Sequence, residues 1–384
     1  MRTLIVGAAL MLLGCVALVT GALPLSSAAD VAERVGPILL FVAMITVVTE
    51  LAAEAGVFQR IAELTALWGK GRTVLLWLLV VTFATLSTIF LSLDTTAVLL
   101  TPVVVVLARH VGISPLPFAL TTVWLANSAS LLLPVSNLTN LLAAHELGGI
   151  GPAGFAALTW APAIAAVIVP TLIVFAVHHR QLSGHYVPAA RGPVDDPVLF
   201  RWAAITLALL VPALVTGLPV WLPASVAALV LATVFAVRRR HSLTLSLVPW
   251  SLLLLASGLF LVVDAAHALG LGRALSVIAG TGSTPLDLLQ LAGVGAFGAN
   301  AVNNLPAYLA LEPTAGSPLR LIALLIGVNV GPLITPWASL ATLLWHQRLT
   351  QLEVEISWLR YAALGLIAAP LTVTIAVLAL AFAP

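Results

Sequence analysis

The chain has 384 residues, 61% of them hydrophobic and 8% charged, against roughly 25% charged residues in an ordinary soluble domain. That composition excludes a soluble enzyme, and no GxxxxGK(S/T) phosphate loop or HExxH zinc pattern occurs. The single cysteine, Cys15, excludes an internal disulfide and a multi-thiolate metal cage, and the net charge of +2 has a topological explanation that needs no nucleic acid.

Apolar stretches long enough for a bilayer recur along the chain, and continuous runs of this kind select helices over a β-barrel. The first, 4–23, reads as a spanning helix rather than a cleaved leader, because it has a counterpart at 218–237. Residues 36–55 form a second span with Glu50 and Glu54 toward its end. The stretch 73–111 is interrupted by Ser92-Leu93-Asp94-Thr95-Thr96, and is expected to enter the membrane and return as a re-entrant hairpin. Within 116–144, Asn127-Ser128-Ala129-Ser130 and Pro134-Val135-Ser136-Asn137-Leu138-Thr139-Asn140 break one span. Proline lacks a backbone donor and small polar side chains compete for backbone bonds, so the helix unwinds there. Unwound backbone at membrane depth belongs where it lines a cavity or is buried in protein.

After a span at 153–177, the polar linker 178–200 is expected to lie in the cytoplasm between two membrane repeats, 1–177 and 201–384. The second repeat opens with a connecting helix at 200–217. It continues with 219–237, then 247–267 carrying Asp264 and His267, and a second hairpin at 285–311 broken at Asn300–Pro306. An interrupted span at 319–345, with Asn329, Pro332, Thr335, Pro336 and Ser339, precedes a last span at 358–383. Sliding the sequence by 214 places Glu50 on Asp264 and Gly56 on Gly270. Sliding it by 202 places Asn127 on Asn329 and Pro134 on Pro336. The fold expected is an all-α polytopic membrane protein, an inverted-topology repeat with two re-entrant hairpins and two broken helices, a plan common among secondary transporters.

With the N-terminus cytoplasmic and the C-terminus outside, Arg34, Arg273 and Arg320 are the basic residues outside. The other thirteen of the sixteen, Arg2 and Arg191 among them, lie on the cytoplasmic side of a bacterial inner membrane, as the positive-inside rule requires. Asp94, an ionisable group at membrane depth, is the first candidate for coupling to an ion, followed by Asp264, Glu50 and Glu54 nearer the helix ends. Candidate substrate ligands are Thr95, Thr96, Asn127, Ser128, Ser130, Ser136, Asn137, Asn140, Asn303, Asn304, Asn329, Thr335 and Ser339. Each also has a plainer role as interhelical hydrogen-bonding glue, and their recurrence in both halves favours the site. No metal or cofactor is expected beyond a proton or sodium as coupling ion.

The motifs Ile334-Thr335-Pro336, Ser339-Leu340-Ala341-Thr342-Leu343-Leu344-Trp345, Asn303-Asn304-Leu305-Pro306, Val135-Ser136-Asn137-Leu138-Thr139-Asn140 and Leu99-Leu100-Thr101-Pro102 resemble those of the arsenite permease family. The likeness runs from about Val35 to Leu364. It implies export of arsenite and antimonite, driven by a proton gradient or assisted by a separate cytoplasmic ATPase subunit. It also implies kinship with dicarboxylate, citrate and sodium-proton carriers of the two-hairpin fold. The sequence departs from the family where Leu93 replaces Asn, Asn127 and Asn329 replace Asp, and Leu333 replaces Lys. A cation-coupled anion or dicarboxylate carrier is the alternative, with a sodium-proton antiporter third. An intramembrane enzyme using Asp94 with Asp264, or His267 as a base, is disfavoured by the duplicated breaks.

Overall fold

A computed structural model describes residues 2–188 and 192–383. Arg191 and the side chain of Arg2, both expected on the cytoplasmic side, lie outside the described residues. Among the described residues, seven helices are long and apolar enough to cross a membrane, and shorter apolar helices at Leu4–Val19, Pro197–Ala213 and Pro318–Val330 accompany them.

The first half runs α1 (Arg2–Val19), α2 (Leu25–Glu54), the short α3 (Val57–Trp68), α4 (Thr73–Leu91) and α5 (Leu93–Thr95). A π-helical turn at Thr96–Leu100 carries α5 into α6 (Thr101–His110), followed by α7 (Leu116–Ser128), α8 (Leu138–Glu146) and α9 (Pro152–Leu182). A connecting helix, α10 (Pro197–Ala213), is capped by Asp196, which Arg238 also binds at 2.8 Å and holds below the usual carboxylate pKa range. The second half repeats the order as α11 (Trp221–Arg238), α12 (Trp250–Ala268), α13 (Leu271–Ala279), α14 (Pro285–Ala301), α15 (Asn304–Leu311), α16 (Pro318–Val330), α17 (Leu340–Gln351) and α18 (Trp358–Phe382).

The halves are interlocked. α1 packs on α12 while its counterpart α11 packs on α2, and α9 meets α18. Gly7 and Gly258 sit where a methyl group would strike the backbone of the facing helix at Leu255 and Met11, the small-residue contact by which helices approach closely in lipid. Gly56 and Gly270 have φ of +81° and +100° and begin α3 and α13, so the sharp turn out of each long helix uses the same left-handed residue.

Each hairpin returns to the face it leaves. At the first face, α3 packs against both the α4 and α6 arms, the Thr73 amide donates to the Gly184 carbonyl at 3.1 Å, and Arg109 donates to the Glu353 carbonyl at 3.0 Å. At the opposite face, α13 packs against α14 and α15, and Arg320 donates to carbonyls at both ends of the second hairpin, among them Ala279 at 3.1 Å and Ala315 at 2.8 Å. Arg34 of α2 pairs there with Glu312, which also accepts the Tyr308 hydroxyl at 2.7 Å.

This ion pair ties α2 to the base of the second hairpin and is mostly withdrawn from solvent, so Arg34→Ala is expected to lower stability by about 1–3 kcal/mol, between surface and buried pairs. Exchanging the charges, Arg34→Glu with Glu312→Arg, should recover part of the loss in thermal unfolding in detergent. Equal losses in the single and exchanged variants would show that the pair contributes nothing.

Candidate functional site

Two chain reversals and two interrupted helices converge around one cavity. Ser92 ends α4 with φ of +128°, and Asn303 separates α14 from α15 with φ of +138°. Non-glycine residues held there are strained, and such strain clusters at functional positions. In the broken helices, Pro134 and Pro336 each begin a single 3₁₀ turn, after which Asn137 and Ser339 lie extended and start α8 and α17. The shift of 202 therefore matches residues of the same conformation.

Between these four elements lies a cavity of about 450 Å³. Its polar lining is Thr46, Ser92, Asp94, Asn137, Asn303, Asn304 and Ser339, and its apolar wall joins Leu10, Phe41, Ile45 and Leu255 of α1, α2 and α12 to leucines of α8, α15 and α17. Asp94 is the one ionisable residue among the described lining residues. It sits in the first turn of the continuous helix Leu93–His110, where the N-terminal dipole favours negative charge. Its carboxyl group has no hydrogen-bond partner among the described residues.

Of the residues expected at the site, Asp94, Asn137, Asn303, Asn304 and Ser339 line the cavity. Asn303 donates to the Trp337 carbonyl at 2.9 Å, joining the second hairpin tip to the second broken helix. Thr95 and Thr96 turn into their own hairpin: the Thr95 hydroxyl lies 3.2 Å from that of Ser92, and the Thr96 hydroxyl donates to Ser87 at 3.0 Å.

The remaining asparagines hold the breaks together. Asn329 donates to Asn140 Oδ1 at 2.7 Å and accepts from Asn137 at 3.1 Å and from the Thr139 hydroxyl at 2.8 Å. Its counterpart Asn127 donates to Thr342 Oγ1 at 3.3 Å, and Thr342 lies 202 residues beyond Asn140, so each half clasps the other through equivalent positions. Ser130 donates to the Asn127 carbonyl at 2.7 Å, Ser136 to the Ile89 carbonyl at 2.9 Å, and Thr335 to the Asn300 carbonyl at 2.8 Å. Ser128 is fully buried beside them, its hydroxyl without a partner among the described residues.

Truncating Asn329 to alanine leaves Asn137, Thr139 and Asn140, all buried, short of a partner, an expected cost of about 1–3 kcal/mol. Asn127→Ala should cost less, and comparing the two unfolding temperatures checks the ranking.

Glu50 and Asp264 stand off the cavity, each near the C-terminal end of its helix, α2 and α12. Glu54 pairs with Arg239 at 3.2 Å beside a polar cleft of about 330 Å³ at the first face. Leu93 and Leu333, at positions where the family resemblance expects asparagine and lysine, are buried in one apolar cluster with Trp345 and Tyr361.

One residue outside the expected set carries much of the geometry. Asn300 donates to the Gly331 carbonyl at 2.8 Å, and its Oδ1 accepts the amides of Ile334 and Thr335 at 3.2 and 3.0 Å. It thereby holds the second unwound segment against α14. Its signal in the sequence is an asparagine one turn before a hairpin tip.

The model of the citrate transporter family matches residues 2–317. The arsenical pump membrane protein of Escherichia coli (strain K12) is 33% identical over 373 residues, covering 88% of this chain and 85% of its own. That of Yersinia enterocolitica is 32% identical over 368 residues, with the same shares. The crystal structure of the Alcanivorax borkumensis YdaH transporter matches with a TM-score of 0.55 at 15% identity, covering 99% of this chain and 97% of that one, a likeness of fold. The chain therefore belongs to the citrate transporter family, grouped with the arsenical pump membrane proteins, and is a multi-pass membrane transporter.

Proposed function

We propose that the chain is a secondary carrier that exports arsenite or antimonite across a bacterial inner membrane, with a proton as the coupling ion and Asp94 as its carrier. The first face, where Arg72, Arg109, Arg238 and Arg239 gather, is then cytoplasmic; the N-terminus lies inside and the C-terminus outside. The observation that carries this reading is the charge of the cavity, which holds one carboxylate and no basic side chain among its described lining residues.

Arsenite near neutral pH is chiefly an uncharged trihydroxy acid, and hydroxyl, amide and carboxylate groups suit its three hydroxyls. A citrate or dicarboxylate anion would meet Asp94 with no lysine or arginine to offset the repulsion. The citrate transporter model favours that second reading, and half-helix N-termini are its one physical support. A sodium-proton antiporter would call for more carboxylates at the cavity. Energy comes from an ion gradient or a separate ATPase subunit, since the sequence has no phosphate loop. Duplicated hairpins and breaks supply the pseudo-symmetry that alternating access uses.

Ligand binding to the folded state raises stability by RT ln(1 + [L]/Kd). Arsenite is expected to raise the unfolding temperature of the purified protein, whereas citrate at the same concentration leaves it unchanged. Stabilisation by citrate alone would replace this reading with the anion carrier.

A further inference from the structure

The two broken helices restart at equivalent positions, yet their caps differ. Asn137 is committed within the protein: its Oδ1 accepts the Thr139 amide at 3.3 Å and its Nδ2 donates to Asn329 at 3.1 Å. Ser339 is uncommitted. It is fully buried, lines the cavity, caps none of the first-turn amides of α17, and its hydroxyl has no partner among the described residues. A buried hydroxyl left unpaired is costly unless a ligand completes it. The helix it begins is twelve residues long, and its uncapped N–H groups carry the positive end of the helix dipole.

We propose that Ser339 and the first turn of α17 form the seat for one oxygen of the substrate, making Ser339 the residue that sets affinity on the second-repeat side of the cavity; this rests on the functional reading above. The seat offers backbone N–H donors and a hydroxyl that both donates and accepts. It suits a small, uncharged, hydroxylated inorganic acid whose remaining hydroxyl groups face the amides of Asn303 and Asn304 and the carboxylate of Asp94. The first-repeat side, with its cap already satisfied, has no equivalent seat, so the pseudo-symmetric cavity binds its substrate asymmetrically.

The test is the initial rate of arsenite uptake by proteoliposomes under an imposed proton gradient, for wild type, Ser339→Ala and Ser339→Asn, with unfolding temperatures measured alongside. Ser339→Ala is expected to raise KM about tenfold, the equivalent of one hydrogen bond, with Vmax within about twofold. Ser339→Asn should also raise KM while keeping or raising the unfolding temperature, because asparagine caps α17 and occupies its amides as Asn137 does in α8. An unchanged KM in Ser339→Ala, or a loss confined to Vmax and unfolding temperature, overturns the seat. A wild type that moves no arsenite overturns the functional reading and the seat together. Wild-type transport with an unaltered Ser339→Ala overturns the seat alone.

Discussion

Asp94→Asn is expected to abolish gradient-driven accumulation of substrate, a loss on the order of a hundredfold or more if the carboxyl group carries the proton. The protein itself should remain intact. Asp94 holds no other side chain in place among the described residues, and asparagine is nearly isosteric, so expression and unfolding temperature should match wild type. Asp94→Glu keeps a titratable group in the cavity and should retain part of the activity. Matched accumulation in wild type and Asp94→Asn would remove Asp94 from the coupling role and leave no other ionisable residue of the described cavity lining to take it.

Arg320→Ala is expected to have the largest effect on stability. Arg320 is 2% exposed, and its guanidinium group donates to the carbonyls of Ala279, Gly280, Gly282, Thr314 and Ala315, clamping the start and end of the second hairpin together. Removing it leaves five acceptors without that donor, an expected loss of about 3–5 kcal/mol. Arg320→Lys keeps the charge but not the planar fork, and should lose a substantial part of the same amount. Thermal unfolding of the detergent-solubilised variants measures both. Retention of wild-type stability in Arg320→Ala would mean that the hairpin base is held by other contacts.

Arg320 also illustrates what a sequence of this composition can and cannot convey. Arg34 and Arg320 stood out as exceptions to the positive-inside distribution. The structure uses both locally, one paired with Glu312 and the other on backbone carbonyls, so their placement follows from the hairpin rather than from topology alone. Features that constrain the backbone were legible: Gly56 with Gly270, Pro134 with Pro336 and Asn127 with Asn329 mark left-handed turns and unwound helices, which few residue types tolerate. The hairpins could be placed because Asp94 and Asn304 interrupt otherwise apolar text.

Side-chain direction was not legible. Asn127, Asn140 and Asn329 are of the same type as Asn303 and Asn304, and the breaks beside them interrupt the 3.6-residue period that would tell which of them faces the cavity and which clasps the other half. The apolar wall was hidden for a related reason. In a chain that is 61% hydrophobic, Leu10, Phe41 and Leu255 look like any lipid-facing residues. Only the packing of α1 on α12, and of α12 on α2, turns them toward the hairpin tips.

Arsenite accumulation in everted membrane vesicles energised by an imposed proton gradient, with citrate as the parallel substrate, separates proton-coupled arsenite export from anion transport. Wild type is expected to concentrate arsenite, to stop when the gradient is collapsed, and neither to accumulate citrate nor to be inhibited by it. Accumulation of citrate with no movement of arsenite would rule out arsenite export and make the protein an anion carrier.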